Sequence, residues 1–176
     1  STVREIMKKA KPGTIIVDFS STAPGVIRTL FPLAKEAGME LLDSPVSGGE
    51  TGAIAGTLVV MSGGEKETFD KVRGLLHCVG ATVTYMGGTG CGSVAKLANN
   101  MIVGCNLVSV GEAYAFAAKA GLDPKVLYHA IKDGFAQSAV MDIKVPKILS
   151  RDFTASARIA VHQKDMKNAM QLANEM

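Results

Sequence analysis

Several scarcities narrow this chain before any motif is considered. Cysteine occurs three times, at Cys78, Cys91 and Cys105, with no CxxC spacing. An odd, scattered set argues against a disulfide framework or a dithiol redox centre, and reads as buried thiols in a reduced, cytoplasmic chain. Histidine is also sparse. His77, His129 and His162 have no metal-ligand spacing among themselves or with the cysteines, so no metal site is expected. A GxSxG elbow is absent and Ser47 has no base near it in sequence, which leaves a serine hydrolase unsupported.

Charge of one sign is scarce as well. The formal net charge is only +3, and the basic residues form no run and no interleaving with aromatics. Nucleic acid is therefore not an expected partner, whereas a small anion is compatible. The long apolar stretches are interrupted by Asn, Gly, Ser or Glu, so no membrane span is expected. Residues 1–12 are charged and amphipathic, unlike a signal peptide. Tryptophan, internal repeats and low-complexity segments are missing too.

What remains is a globular composition. The 176 residues are 47% hydrophobic and 20% charged, enough for one large domain or two small ones. The first half alternates β-branched runs with amphipathic stretches. Strands are expected at 14–19, 39–43, 57–61 and 81–86, and helices at 3–10, 24–37 and 65–76. That alternation predicts a mainly parallel sheet with crossover helices. The pattern changes at Gly87-Gly88-Thr89-Gly90. Residues 93–120 lack strong breakers other than Gly104 and Gly111 and are small or apolar all round, which predicts a long helix buried among others. Gly121 stops it, and Asp123-Pro124 starts the next helix. The fold class expected is α/β: the second half of a Rossmann-like, mainly parallel sheet domain over residues 1–88, then an all-α domain over 89–176 entered by the long helix. An opening helix with no strand before it, and a closing helix with no stop signal, read as a fragment.

Three constellations carry chemistry. Asp43-Ser-Pro-Val-Ser-Gly-Gly49 follows a strand, at the end of a sheet where open α/β folds bind ligands. Ser47, Gly48 and Gly49 can aim a hydroxyl and successive N–H groups at a carboxylate or phosphate, although the same residues also suit an ordinary glycine turn. Gly90-Cys-Gly-Ser-Val-Ala95 matches a GxGxxA dinucleotide fingerprint, but that reading requires a strand near residue 120, where none is expected. Within the same segment, Lys96 lies early in an apolar helix with Asn100 one turn later. Desolvation lowers a lysine pKa and suits it to proton transfer, while a lysine snorkelling to the surface fits the same sequence. Finally, His162-Gln-Lys-Asp165 begins the last helix and reads as a solvated helix start, Asp165 complementing the N-terminus and Lys164 reaching outward.

Taken in order, these segments resemble the 3-hydroxyisobutyrate dehydrogenase / tartronate semialdehyde (2-hydroxy-3-oxopropionate) reductase family of β-hydroxyacid dehydrogenases. Asp43–Gly49 with Gly56-Thr57-Leu58 resembles its substrate signature, and Gly92–Asn100 its GxxxKxxxN catalytic segment. Residues 17–24 resemble its exit from the cofactor domain, and Lys164-Asp165 its late Lys-Asp pair. The resemblance implies an oxidoreductase using NAD or NADP. It makes Lys96 the acid and base, gives the substrate carboxylate to Ser47, Gly48 and Gly49, and has Asn100 orient the substrate. It places Ser21 and Lys164 against the cofactor, with Ser20 a less favoured substitute for Ser21. It also implies a small carboxylate substrate and a homo-oligomer formed through the helical domain. The family's opening GxGxxG turn and closing helices are absent from the sequence, so poor cofactor binding is expected of the chain alone. A non-catalytic binding or assembly module on a dehydrogenase scaffold is the competing reading, and Lys96 discriminates between them.

Overall fold

A computed structural model describes residues 2–154 and 158–176. The described residues form two compact units. One comprises residues 2–99 with 158–176, and the other residues 100–154. The strand-bearing part of the chain ends at Gly87, yet the last helix belongs to the same unit as the strands.

In the first unit, helix α1 (Thr2–Lys9) leads to strand β1 (Ile15–Asp18), and α2 (Pro24–Glu36) leads to β2 (Glu40–Asp43). Pro24 opens α2, where its fixed φ and missing N–H cost nothing. β1 and β2 pair in parallel, Ile16 opposite Leu41 and Val17 opposite Leu42. The pleat sends alternate residues to opposite faces. Val3, Ile16, Leu30, Ala34, Met39 and Leu41 therefore form one buried cluster with α1 and α2. On the other face Leu42 packs with Phe69, Val72 and Leu76 of α4 (Lys66–Leu76). β4 (Val59–Gly63) and β5 (Thr82–Gly87) form the second parallel pair.

The parallel expectation fails at one join. Between β2 and β4 the chain makes a short strand β3 (Val46–Ser47) and helix α3 (Gly49–Ala55). β4 pairs antiparallel with β3, and with β2 at Asp43–Gly63. The connection forms β3, which pairs back onto β4, so β4 runs in the opposite sense. The two-residue β3 and the glycine-rich α3 carry too little periodicity to be read from sequence.

Helix α5 (Cys91–Lys119) runs unbroken for 29 residues, which rejects the fingerprint reading of Gly90-x-Gly92. Its start is fixed by Asp43, a residue 1% exposed at the end of β2. Asp43 Oδ1 accepts the Gly90 N–H at 2.9 Å and Oδ2 the Ser93 N–H at 2.6 Å. The anion that the helix N-terminus favours is thus supplied by the chain itself. Packing here is backbone against backbone. A Cβ on Gly92 would lie 2.3 Å from the Asp43 carbonyl oxygen and 2.4 Å from that of Met61.

Two expectations about α5 and one about the cysteines need correction. Burial among other helices is not found: beyond residue 100 only Tyr114 and Ala117 of this helix are buried, while Ile102 is 64% and Phe116 76% exposed. A mean hydropathy of 1.4 over its most apolar window also makes α5 long and apolar enough to cross a membrane by length and composition, because one turn of polar residues does not offset its small apolar ones. The thiols expected to be buried are not, since Cys78 and Cys105 are exposed and Cys91 is half-buried.

In the second unit, α6 (Pro124–Ile131) is capped by the Asp123 carboxylate, which accepts the Lys125 N–H at 2.8 Å. α7 (Ala139–Leu149) is capped by the Ser138 hydroxyl oxygen. Tyr114, Met141 and Val145 form the core of this unit. α8 (Ile159–Glu175) returns to the first unit.

A paired substitution tests the backbone packing at the α5 start. Gly92→Ala is expected to destabilise the chain by about 1–3 kcal/mol or more, because two carbonyl oxygens would have to move. Gly111→Ala meets nothing within 4 Å and should stabilise by roughly 0.5–1 kcal/mol. Urea unfolding monitored by circular dichroism reads both.

Candidate active site

The carboxyl ends of β1 and β2 lie side by side, Asp18 opposite Asp43, which is where ligands bind in open α/β sheets. Ser20 and Ser21 follow β1. Ser20 is exposed and its N–H is turned onto the Asp18 carboxylate at 2.9 Å. Ser21 is half-buried and reaches α8 instead, its hydroxyl donating to Asp165 Oδ1 at 2.5 Å. Lys164 Nζ donates to the Ser21 carbonyl oxygen and stands 3.0 Å from Asp165 Oδ1.

The solvated reading of the Lys164-Asp165 pair is therefore overturned for Asp165, which is 0% exposed. α8 begins at Ile159, so Asp165 sits beyond its first turn and faces inward. Nothing in the local sequence separates an inward from an outward carboxylate here. The available signal was the hydroxyl of Ser21, some 140 residues earlier.

Lys96 is half-buried on the second turn of α5. Burial pushes its pKa below the ordinary lysine value; the Asp165 carboxylate opposes that shift and the Lys164 ammonium adds to it. Lys96, Asp165, Lys164 and Ser21 all belong to the first unit. Asn100, one turn further along α5, is buried with 7% exposure and is the first residue of the second unit.

Ser47 ends β3, paired with Val59 and half-buried. Gly48 and Gly49 follow with φ of 128° and 61°, a conformation that a side chain would strain. At Gly48 a Cβ would also meet Leu58 Cδ2 at 3.0 Å. Two successive positive-φ glycines keep this turn open and exposed, free of any covering side chain of their own.

The donor set at the β1 end suits the polar amide and ribose end of a nicotinamide dinucleotide. It offers the half-exposed Lys164 ammonium at a sheet's carboxyl edge, with the Ser21 hydroxyl oxygen beside it as an acceptor. No GxGxxG turn for the pyrophosphate is present among the described residues. No cluster of His, Cys, Asp or Glu among the described residues could hold a metal ion.

Two family profiles divide the chain. Residues 1–87 match the NAD-binding domain of 6-phosphogluconate dehydrogenase, and residues 90–176 match the NAD-binding profile of NADP-dependent 3-hydroxyisobutyrate dehydrogenase. The 2-hydroxy-3-oxopropionate reductase of Escherichia coli is 40% identical over 169 residues, spanning 96% of this chain and 58% of the reductase. A solved 3-hydroxyisobutyrate dehydrogenase of Mycobacterium tuberculosis with L-serine superposes with a TM-score of 0.89 at 29% identity, over 99% of this chain and 64% of that one. Psf3 in complex with NADP+ and 2-OPP superposes with a TM-score of 0.87 at 30% identity, over 94% of this chain and 58% of that one. The chain belongs to the 3-hydroxyisobutyrate dehydrogenase family of β-hydroxyacid dehydrogenases. It spans a little over half the length of the curated relatives it matches.

The depressed Lys96 pKa has a consequence for stability. In the pH interval between that depressed value and the ordinary 10.5, the unfolded chain binds more protons at this site than the folded one, so stability rises with pH there. Below the interval the folded state carries the whole cost of the buried ammonium. Lys96→Met is therefore expected to raise the melting temperature at neutral pH, with the gain shrinking as pH approaches 10.5. Thermal melts of both proteins across pH 6–10 (roughly the span of a lysine titration) check the sign.

Proposed function

We propose that the chain forms the catalytic part of an NAD(P)-dependent β-hydroxyacid dehydrogenase, interconverting a 3-hydroxy acid and its semialdehyde. The observation that carries this reading is Lys96, an apolar-helix lysine held below its ordinary pKa by burial beside the buried Asp165. A lysine tuned toward neutrality can both give and take a proton.

In reduction, the Lys96 ammonium gives a proton to the carbonyl oxygen while that carbon gains hydride, yielding the alcohol. In oxidation, the neutral Lys96 amine takes the hydroxyl proton as hydride leaves the same carbon. The nicotinamide, when bound, supplies or accepts that hydride. Ser47 and the N–H groups of Gly48 and Gly49 bind the substrate carboxylate. Asn100, four residues along the helix from Lys96, orients the substrate. Ser21 and Lys164 meet the cofactor, NAD or NADP. 2-Hydroxy-3-oxopropionate is the first candidate substrate, on the likeness to the Escherichia coli reductase, with 3-hydroxyisobutyrate and its oxidation product methylmalonate semialdehyde as the second pair. The exposed apolar side chains of α5, Ile102, Val108 and Phe116 among them, support association of copies through the helical stretch. A cytosolic setting belongs to the same reading.

The test follows reduced nicotinamide at about 340 nm, where only the reduced ring absorbs. The chain alone and a version extended at its amino terminus with a relative's first strand and GxGxxG turn are given NADH or NADPH and either semialdehyde. Turnover by the extended version is expected, with Lys96→Met lowering kcat by about a hundred- to ten-thousand-fold. Turnover unchanged by Lys96→Met would leave the family scaffold without this chemistry.

A further inference from the structure

Two segments supply the chemistry proposed above: the Ser47-Gly48-Gly49 turn, and the helix that carries Lys96. They are distant in sequence and meet at Asp43. Each oxygen of its carboxylate is taken by the start of α5, Oδ1 accepting the Gly90 N–H at 2.9 Å and Oδ2 the Ser93 N–H at 2.6 Å. Its main chain adds a steric stop, since a Cβ on Gly92 would lie 2.3 Å from the Asp43 carbonyl oxygen. Gly63, opposite Asp43 on β4, closes a third side: a Cβ there would lie 2.7 Å from Asp43 Oδ1 and 2.6 Å from the Gly92 nitrogen. β2, β4 and the start of α5 thus converge on one carboxylate, with no room for a side chain between them. Asp43 is 1% exposed, so water does not answer these N–H groups in its place.

The turn is held by other means. The Ser44 N–H donates to the Asp18 carbonyl oxygen at 2.7 Å, and the buried Ser44 and Ser62 hydroxyls pair at 2.7 Å. The Met61 N–H donates to the Pro45 carbonyl oxygen at 3.0 Å, and β3 pairs Val46 with Val60 and Ser47 with Val59. None of these contacts involves α5. Lys96, by contrast, follows Ser93 by less than a turn on a continuous helix, so its position is set where that helix is anchored.

We propose that Asp43 is a positioning residue: it holds Lys96 at the reach from the carboxylate-binding turn that one small hydroxy acid spans. Its catalytic consequence rests on the roles given above to Lys96 and to Ser47, Gly48 and Gly49, but the clasp itself is read without turnover. Opening the clasp frees the start of α5 and leaves the turn in place. Capture of the substrate carboxylate then survives, while the alignment of Lys96 with the reacting oxygen is lost. A misplacement of about 1 Å at a reacting group costs roughly a hundredfold in rate.

Asp43→Asn keeps the shape but turns an NH2 group toward one of the two N–H groups of the α5 start. Amide hydrogen exchange of the chain, followed by NMR, should show Gly90 and Ser93 accelerating by about tenfold or more while Ser44 and Met61 keep their rates. In the amino-terminally extended protein, kcat should fall about ten- to a hundredfold with the KM for the semialdehyde within about twofold of the unaltered value. An Asp43 that merely stabilises the fold would accelerate all four amides together, or lower activity only as far as the folded fraction falls. Either result overturns the proposal, as does a raised KM with kcat intact. If Asp43→Asn is unfolded by circular dichroism, the unaltered chain decides. Its Ser93 amide, held by a buried carboxylate, should exchange at least about a hundredfold more slowly than the Lys125 amide, whose Asp123 cap is exposed. Equal rates would mean that the carboxylate does not anchor α5, and would sink the inference. Loosening confined to Gly90 and Ser93, in a protein that transfers no hydride after extension, would sink the dehydrogenase reading and leave the clasp standing.

Discussion

A carboxylate with no access to water must be answered from within the protein, and Asp165 sets the terms for the first unit. Its demand for donors ties α8, the last helix of the chain, to the turn after β1 through Ser21 and Lys164. The same negative charge opposes the lowering that burial imposes on the Lys96 pKa. Removing one partner from such a set costs more than the contact is worth, because the remaining charge is left uncompensated.

A second buried carboxylate does different work. Asp43 accepts two N–H groups at the start of α5 and so fixes where Lys96 sits relative to the ends of β1 and β2. It also explains how Gly90-x-Gly92-x-x-Ala95 can imitate a dinucleotide turn without serving as one. The glycines let a helix approach a sheet closely, as they would in a fingerprint, but the anion at the helix end belongs to the protein. Burial raises the Asp43 pKa, while the Ser93 and Gly90 N–H groups restrain that rise.

Elements with strong local signals were legible in the sequence. Pro24 and Asp123-Pro124 mark helix starts, Gly121 a stop, and the β-branched runs around Ile15–Asp18 and Thr82–Gly87 are strands. The antiparallel return of β4 was not legible, because it comes with the pairing of β3, a two-residue strand with no periodicity of its own. The exposure of α5 was hidden for a related reason: apolar composition states that a face can be buried but not what covers it. At the candidate site, Lys96 stood out because a charge in an apolar helix is anomalous within its own segment. Asp165 did not, since the hydroxyl that donates to it lies at Ser21, and only the fold brings the two together.

The central claim, that this family member moves hydride at a carbon beside Lys96, is tested most directly by isotope transfer. The amino-terminally extended protein would be given 2-hydroxy-3-oxopropionate and reduced nicotinamide dinucleotide carrying deuterium on the transferable C4 face, and the hydroxy acid examined by mass spectrometry. One deuterium on the former aldehyde carbon, lost together with product when Lys96 is replaced by Met, is the expected result. Product without deuterium, or deuterium transferred equally well without Lys96, would contradict it.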